Sequence, residues 1–328
     1  RWADGTVYPR GYHHLQSFHL EGTIPVWTFA CADALLEKRV WMQQGKNTTY
    51  VRYTLKAGSE PIALSLKALV NYRDRHGGTT VGDWQVTKID RGVCIQAFPD
   101  AVPLYLFSDF PGCAVIPAGV WYEGFDLAIE RYRGTGDREN HRHAATWTAT
   151  LQLGQSWTIA ATTEDGFIDG EMALVQRQAY ERALLENLNR PVPPWIGQLV
   201  LAADQFIVDR PLPDRPDGKT ILAGYPWFGD WGRDTAISLP GLTLCTGRSD
   251  IARTIIATFA DYLDRGMLPN VFPDAGDAPA YNSVDASLWY FEAVWAYYQA
   301  TNDRDFLAAI APKLADIIHW YRQGTRYG

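Results

Sequence analysis

The strongest constraint on how this chain folds is a change in the period of its apolar residues near Asp165. Before that point, short runs rich in Val, Ile, Thr and Tyr are split by Gly, Pro, Asp or Asn. They are Thr48–Lys56, Ile62–Asn71, Trp84–Asp90, Val93–Ala97, Leu104–Ser108 and Thr146–Ala160. Branched and aromatic side chains suit a pleated, half-buried surface, and this spacing predicts an antiparallel β-sandwich over residues 1–165. Trp121-Tyr-Glu-Gly124 and the charged stretch Gly134–His141 read as loops between strands.

After Asp165 the period becomes helical. Asp169 is placed to cap a segment running to Asn187 with apolar residues at Met172, Leu174, Val175, Ala179, Ala183 and Leu184. Arg190-Pro-Val-Pro-Pro194 breaks it, so residues 166–194 read as a linker helix and Pro-rich boundary. From Trp195 onward no segment reads as a strand, and helices are predicted over Ile196–Val208, Thr235–Cys245, Asp250–Arg265, Val284–Ala300 and Arg304–Gln323. Alternately short and long connections between them predict the first helices of an incomplete α/α toroid over residues 195–328. In such a toroid the long connections, 209–234 and 265–283, line one end of the central pocket. Five helices are too few to close the ring. The chain also opens at Arg1 and stops directly after a helix, so a piece of a longer protein is expected.

Composition narrows the function classes. The length of 328 residues favours two domains. A net charge of −7 offers no basic stripe for nucleic acid. Cys31, Cys94, Cys113 and Cys245 lie far apart without metal-ligand spacing and read as buried free thiols. The adjacent His13 and His14 have no further ligand at helical spacing, so neither a metal site nor a cofactor is expected. No apolar run is long enough to span a bilayer, and the expectation is a soluble, cytoplasmic protein without a membrane partner.

Two segments carry chemistry. Gly224-Tyr-Pro-Trp-Phe-Gly-Asp-Trp-Gly-Arg-Asp-Thr235 packs aromatics, carboxylates and an arginine between glycines at the start of an apolar helix. Flat rings stack on the C–H faces of sugars while charged groups fork onto paired hydroxyls. This stretch therefore reads as one wall of a saccharide pocket, with Trp227, Asp230, Trp231, Arg233 and Asp234 as candidate contacts. Tyr281-Asn-Ser-Val-Asp-Ala-Ser-Leu-Trp289 repeats the pattern through Tyr281, Asn282, Asp285 and Trp289. Asp285 and Trp289 share a helix face. Asn282 or Ser283 could cap that helix, and Asp285 could simply complement its dipole. Both motifs precede helices two apart in the hairpin order, which places their N-termini at the same end.

Gly229-Asp-Trp-Gly-Arg-Asp-Thr-Ala-Ile237, Gly266-Met-Leu-Pro-Asn270 and Tyr281–Trp289 together resemble the glucosidase part of glycogen debranching enzymes of the bacterial and archaeal type. The first half is similar to that family's N-terminal domain through several segments. These are Pro25-Val-Trp27, Leu36-Glu-Lys38, Met42, Gly45-Lys-Asn-Thr48, Val51-Arg-Tyr53, Tyr72-Arg-Asp74 with His76, Trp121-Tyr122, Glu130-Arg131 and Arg133-Gly134.

The resemblance implies hydrolysis of α-1,6-linked glucose at trimmed branches of glycogen or a related α-glucan, on an (α/α)6 barrel. It implies that Arg233 and Asp234 clasp the terminal glucose, that Trp231 walls the subsite, and that Asp285 and Asn282 complete it. An inverting reaction needs two carboxyl groups, one acidic and one basic. The motifs that supply them in this family do not occur here, so no catalytic residue is assigned and the pair is expected beyond Gly328. Asp230 and Glu292 are not promoted in their place, and this chain alone is expected to be inactive. The remaining readings are another inverting α-glucosidase of glucoamylase or trehalase type, and a non-catalytic α-glucan-binding protein.

Overall fold

In the computed structural model the first half of the chain is antiparallel sheet and the second is mostly helix. The structure describes residues 1–164, 166, 169–188, 191–272 and 278–328. Asp165, Arg190 of the Pro-rich break and residues 273–277 of the second long connection lie outside them. Two compact units result, Arg1–Glu181 and Arg182–Gly328.

In the first unit the strands are β1 (Leu15–Glu21), β2 (Ile24–Cys31), β3 (Ala34–Met42), β4 (Thr48–Ala57), β5 (Ile62–Val70), β6 (Gln85–Ile89), β7 (Gly92–Gln96), β8 (Leu104–Ser108) and β9 (Ala114–Asp126). A short helix α1 (Ala128–Arg133) precedes β10 (Arg138–Leu151) and β11 (Ser156–Thr162). They form an eight-stranded sheet in the order β1-β2-β3-β4-β11-β8-β7-β6 and a three-stranded sheet β5-β10-β9. Side chains alternate between the faces of a strand, so each sheet can bury one side. Leu55, Val93, Ile95, Leu106 and Trp157 of the large sheet share a cluster with Ala145, Trp147 and Leu151 of the small one. On the other face of the large sheet, Ile24, Val26, Trp41, Tyr50 and Ala160 pack with Ala173 and Leu174 of helix α2 (Gly170–Glu186).

Polar contacts fix α2. Asp169 Oδ1 accepts the Met172 N–H at 2.9 Å at its start. The Arg52 guanidinium, itself near the Trp41 ring, donates to Glu171 at 2.8 Å. Arg177 donates to Glu181 at 3.0 Å and to Gln44 at 3.0 Å.

Three readings of this half are corrected. The run Thr146–Ala160 is two strands in different sheets, because Gln152–Gln155 turns the chain through Gly154 at a φ of +80°. Trp121–Gly124 lies within β9, where Tyr122 pairs with His141 and Trp121 with Arg142. The end of the charged stretch, Arg138–His141, is therefore strand as well. The cysteines are free, but Cys31 and Cys245 are exposed rather than buried.

The second unit comprises α3 (Pro194–Asp204), β12 (Ile207–Asp209), β13 (Lys219–Gly224), β14 (Phe228–Asp230), α4 (Gly232–Leu242), α5 (Ser249–Ala260), α6 (Asp285–Thr301) and α7 (Arg304–Gln323). The small sheet β12-β13-β14 corrects the purely helical reading. Strands of three residues carry too little alternation to register against a helical background. Leu239, Ile255, Ile256, Phe259, Tyr290, Val294, Phe306 and Ile317 bring α4 to α7 into one core. Two buried ions steady the loops: Arg248 donates to Asp204 at 2.6 Å, and both are nearly inaccessible. Asp303 caps α7, accepting the Phe306 N–H at 2.9 Å and the Tyr297 hydroxyl at 2.8 Å.

Two outcomes follow from these contacts. Trp157 is fully buried and its indole N–H donates to Ser108 Oγ at 2.9 Å. Trp157→Ala is expected to lower stability by about 3–5 kcal/mol in denaturant titration, and a loss under about 1 kcal/mol would contradict this core assignment. The Phe306 N–H and the Tyr297 hydroxyl hold the Asp303 carboxyl below its ordinary range. A depressed folded-state value means that its stabilisation is present at neutral pH and is lost as acid protonates it. Asp303→Ala should lower the melting temperature at pH 7 and narrow the difference between pH 7 and pH 3; an unchanged difference would exclude this cap as an acid-labile element.

Candidate substrate-binding site

The β13–β14 hairpin aims the first motif. Leu222 pairs with Asp230 and Gly224 with Phe228. The chain leaves β14 through Trp231, which bridges to Val271, and α4 begins at Gly232. Gly232 donates its N–H to the Asn270 carbonyl at 3.0 Å, and a Cβ here would lie 2.1 Å from the Pro269 carbonyl oxygen. On its other side this segment meets the approach to α6, since Val271 also bridges to Ala280 and the Asn270 N–H donates to the Ala280 carbonyl at 2.8 Å. The segment Gly266–Asn270 is thus the seam between the two motifs.

Across that seam the helix starts are neighbours. Arg233 Nη1 lies 3.3 Å from Asp285 Oδ2. The Ser283 hydroxyl donates to Asp285 Oδ1. With Arg233 it holds the Asp285 carboxyl below the usual range, the Ser283 bond being the larger cause. Asp285 therefore stays ionised in mild acid, the opposite of what a proton donor requires. The side chains of Arg233 and Asp285 are 44% and 37% exposed, and so open a pair adds little to folding stability. Both remain accessible to a ligand.

Asp234 sits in the first turn of α4, half-buried, where the helix dipole favours a carboxylate. Its backbone carbonyl accepts from Ser238 at 2.6 Å, but among the described residues nothing partners its carboxylate. Trp231 is half-buried and stands perpendicular to Phe228 at 6.0 Å. Trp289, one helical turn beyond Asp285, is 40% exposed. Asn282 is exposed, and Trp227 lies in the turn between β13 and β14.

Two candidates are occupied by the protein itself. Asp230 is 3% exposed, and its carboxylate receives both Arg210 Nε at 2.8 Å and Arg210 Nη2 at 2.5 Å. Arg210 also stands 5.3 Å from the Phe272 ring centre. Tyr281 donates its hydroxyl to the Tyr262 carbonyl at 2.8 Å, and the Arg326 guanidinium covers its ring at 4.2 Å. The cap reading for α6 is also corrected: Val284 takes the cap position without a side-chain bond, and the Ser283 hydroxyl turns to Asp285 instead.

Nothing in the sequence marks Arg210, which lies in a proline-rich loop with its partner twenty positions away. Asn270 closes the Gly266–Asn270 segment. It is 8% exposed, and among the described residues its side-chain oxygen has no partner. What the arrangement offers is an arginine, two carboxyl side chains and aromatic rings at two adjoining helix starts, the chemistry of a polyhydroxylated ligand. Among the described residues no three His, Cys, Asp or Glu side chains cluster as a metal site, and no helix is long and apolar enough to cross a membrane.

Comparison with known proteins places the two halves of the chain in one family. A family model described as the N-terminal part of glycogen debranching enzyme matches residues 1–158, and one described as amylo-alpha-1,6-glucosidase matches residues 201–328. A stretch of 89 residues is 42% identical to the glycogen debranching enzyme of Saccharomyces cerevisiae, covering 26% of this chain and 6% of the yeast protein. Among solved structures, a bacterial glucoamylase complexed with acarbose superposes over 93% of this chain and 49% of its own. The TM-score is 0.50 at 14% identity, a likeness of fold. An inverting mannosidase of family GH92 from Bacteroides thetaiotaomicron matches 92% of this chain and 42% of its own with a TM-score of 0.30 at 10% identity, too distant to bear on the fold. This chain thus spans about half the length of the glucoamylase. Matched in succession by the two models, over residues 1–158 and 201–328, and in part by the yeast enzyme, the chain belongs to the glycogen debranching enzyme family.

Proposed function

We propose that this protein is an amylo-α-1,6-glucosidase and that its second unit supplies the wall that holds the non-reducing glucose of an α-1,6 branch. The observation that carries this is the Arg233–Asp285 pair, which joins the two aromatic and acidic motifs beside an Asp234 carboxylate that has no partner among the described residues. A guanidinium held by one carboxylate and flanked by a second presents donor and acceptors together, and vicinal sugar hydroxyls need both. Trp231 and Trp289 supply apolar faces beside it, and Trp227 and Asn282 lie within the same two motifs. Asp230 and Tyr281 support this wall from behind, through Arg210 and through Tyr262.

The architecture proposed for the helical half is the first part of an (α/α)6 toroid over residues 195–328, following a β-sandwich over 1–165 and a linker over 166–194. The glucoamylase-like fold supports it. The reaction proposed is inversion by a two-carboxylate mechanism, in which one carboxylic acid protonates the departing glycosidic oxygen and a carboxylate activates water on the opposite face. None of the residues above is assigned a proton-transfer role; they bind and orient. The substrate proposed is glycogen or a related branched α-glucan, the compartment the cytoplasm. Against a glucoamylase or trehalase-like activity stands the match of residues 1–158 to the N-terminal part of debranching enzymes.

Two variants of the full-length enzyme test this reading. A clasp on the reacting glucose acts in the transition state as well as in the bound state. Asp234→Asn should therefore reduce kcat/KM for glucose release from a branched limit dextrin by about a hundred-fold, and near-normal turnover would remove Asp234 from the subsite. Asp230→Asn weakens the paired hydrogen bonds by which the part-buried Arg210 grips this buried carboxylate and should cost about 2–3 kcal/mol of stability. If its unfolding curve matched the wild type while turnover collapsed, Asp230 would be a substrate ligand after all.

A further inference from the structure

Trp27, Lys38 and Tyr53 lie in the segments through which the first half resembles debranching enzymes. In the structure they are cross-strand neighbours. Phe18 of β1 pairs with Trp27 of β2, Trp27 with Lys38 of β3, and Lys38 with Tyr53 of β4. Direct cross-strand partners point to the same face of a sheet, about 4.8 Å apart. The four side chains therefore form one row across the sheet. The face is the one that carries Leu55 in the core shared with the small sheet, two residues along β4 from Tyr53. The small sheet's strands are only three, and the row runs out past them to the free edge at β1, where Phe18 is 54% and Leu20 49% exposed.

The charge in this row is unusual. The Lys38 ammonium lies 5.4 Å from the Trp27 ring centre and 6.0 Å from that of Tyr53. Among the described residues no carboxylate pairs with it. Burial lowers its affinity for the proton. The neighbouring charges Glu37 and Arg39 alternate to the opposite face, where Arg39 binds Glu37 at 2.8 Å and also Glu21. A partly dehydrated ammonium held by aromatic rings alone has three donors to offer, and the rings flanking it are apolar and flat.

We propose that Phe18, Trp27, Lys38 and Tyr53 form a second saccharide-binding surface, on the β unit, which takes a linear segment of α-glucan. Rings stack on successive sugar faces while Lys38 donates to hydroxyls that replace the water it has lost. A neutral polyol suits this row better than an acidic partner, because one ammonium among three rings gives no fork for paired anionic oxygens. The identity of the glycan rests on the debranching activity proposed above; the surface itself rests on the row.

The test uses the full-length protein, with Phe18→Ser and Trp27→Ala made separately. Phe18 is exposed on an edge strand, so its variant should fold even if the other does not. Retention on immobilised glycogen and release of glucose from a short branched oligosaccharide are measured side by side. We expect glycogen affinity to fall about ten-fold, the loss of one stacking contact, while turnover of the short substrate stays at the wild-type rate. Wild-type retention by both variants would overturn the surface while leaving the glucosidase reading intact. Failure of the wild type to release glucose, with retention still lost in the variants, would sink the activity and keep the surface. Variants that dissociate a dimer and bind glycogen normally would assign the face to a second copy of the chain and overturn the proposal.

Discussion

At Gly232 the chain passes so close to the Pro269 carbonyl that no other residue fits without backbone movement. That contact sets the rest of the candidate site. It lets the first N–H of α4 reach the Asn270 carbonyl, and with the bridges of Val271 to Trp231 and Ala280 it ties the start of α4 to the chain leading into α6. Arg233 is the next residue along, so the position of its guanidinium against Asp285 is inherited from the backbone. Arg210 reinforces the arrangement from the interior, fixing Asp230 just before the helix begins. A clasp for a sugar has to be rigid before the ligand arrives, since any ordering left for binding subtracts from affinity. Backbone seams and the part-buried Arg210–Asp230 pair achieve that without using the exposed groups.

The β unit solves a different problem. Its large sheet buries both faces in part, one against the small sheet and the other against α2. Each neighbour covers only some of the strands. Strand β1 is exposed along most of its length, and on one face its Phe18 leads inward to Trp27 of β2 and Lys38 of β3.

Much of this was legible in the residues. Strand β8 and helix α7 fall at Leu104–Ser108 and Arg304–Gln323, as the sequence predicted. The helix has Asp303 before it and Gly324 after it, signals that act locally. The period change correctly separated a sheet region from a helical one. What was hidden depended on distant partners. Trp121–Gly124 looks like a loop because it combines a glycine with polar aromatics; only the pairing of β9 with β10 makes it strand. The three-residue strands β12 and β14 carry no period of their own. Within the site, the nearness of the two motifs could be read from the order of the helices. The capture of Asp230 by Arg210 and of Tyr281 by Tyr262 and Arg326 could not, since nothing local distinguishes a carboxylate facing a ligand from one facing a buried arginine.

The central claim is that Arg233, Asp234 and Asp285 hold the terminal glucose. A crystal structure of the full-length protein soaked with a branched α-1,6 oligosaccharide tests it most directly. The account predicts a glucose whose hydroxyls lie within hydrogen-bonding distance of Asp234 and Arg233, with Trp231 against the ring. A sugar bound elsewhere, with the Asp234 carboxylate facing only solvent, would contradict it.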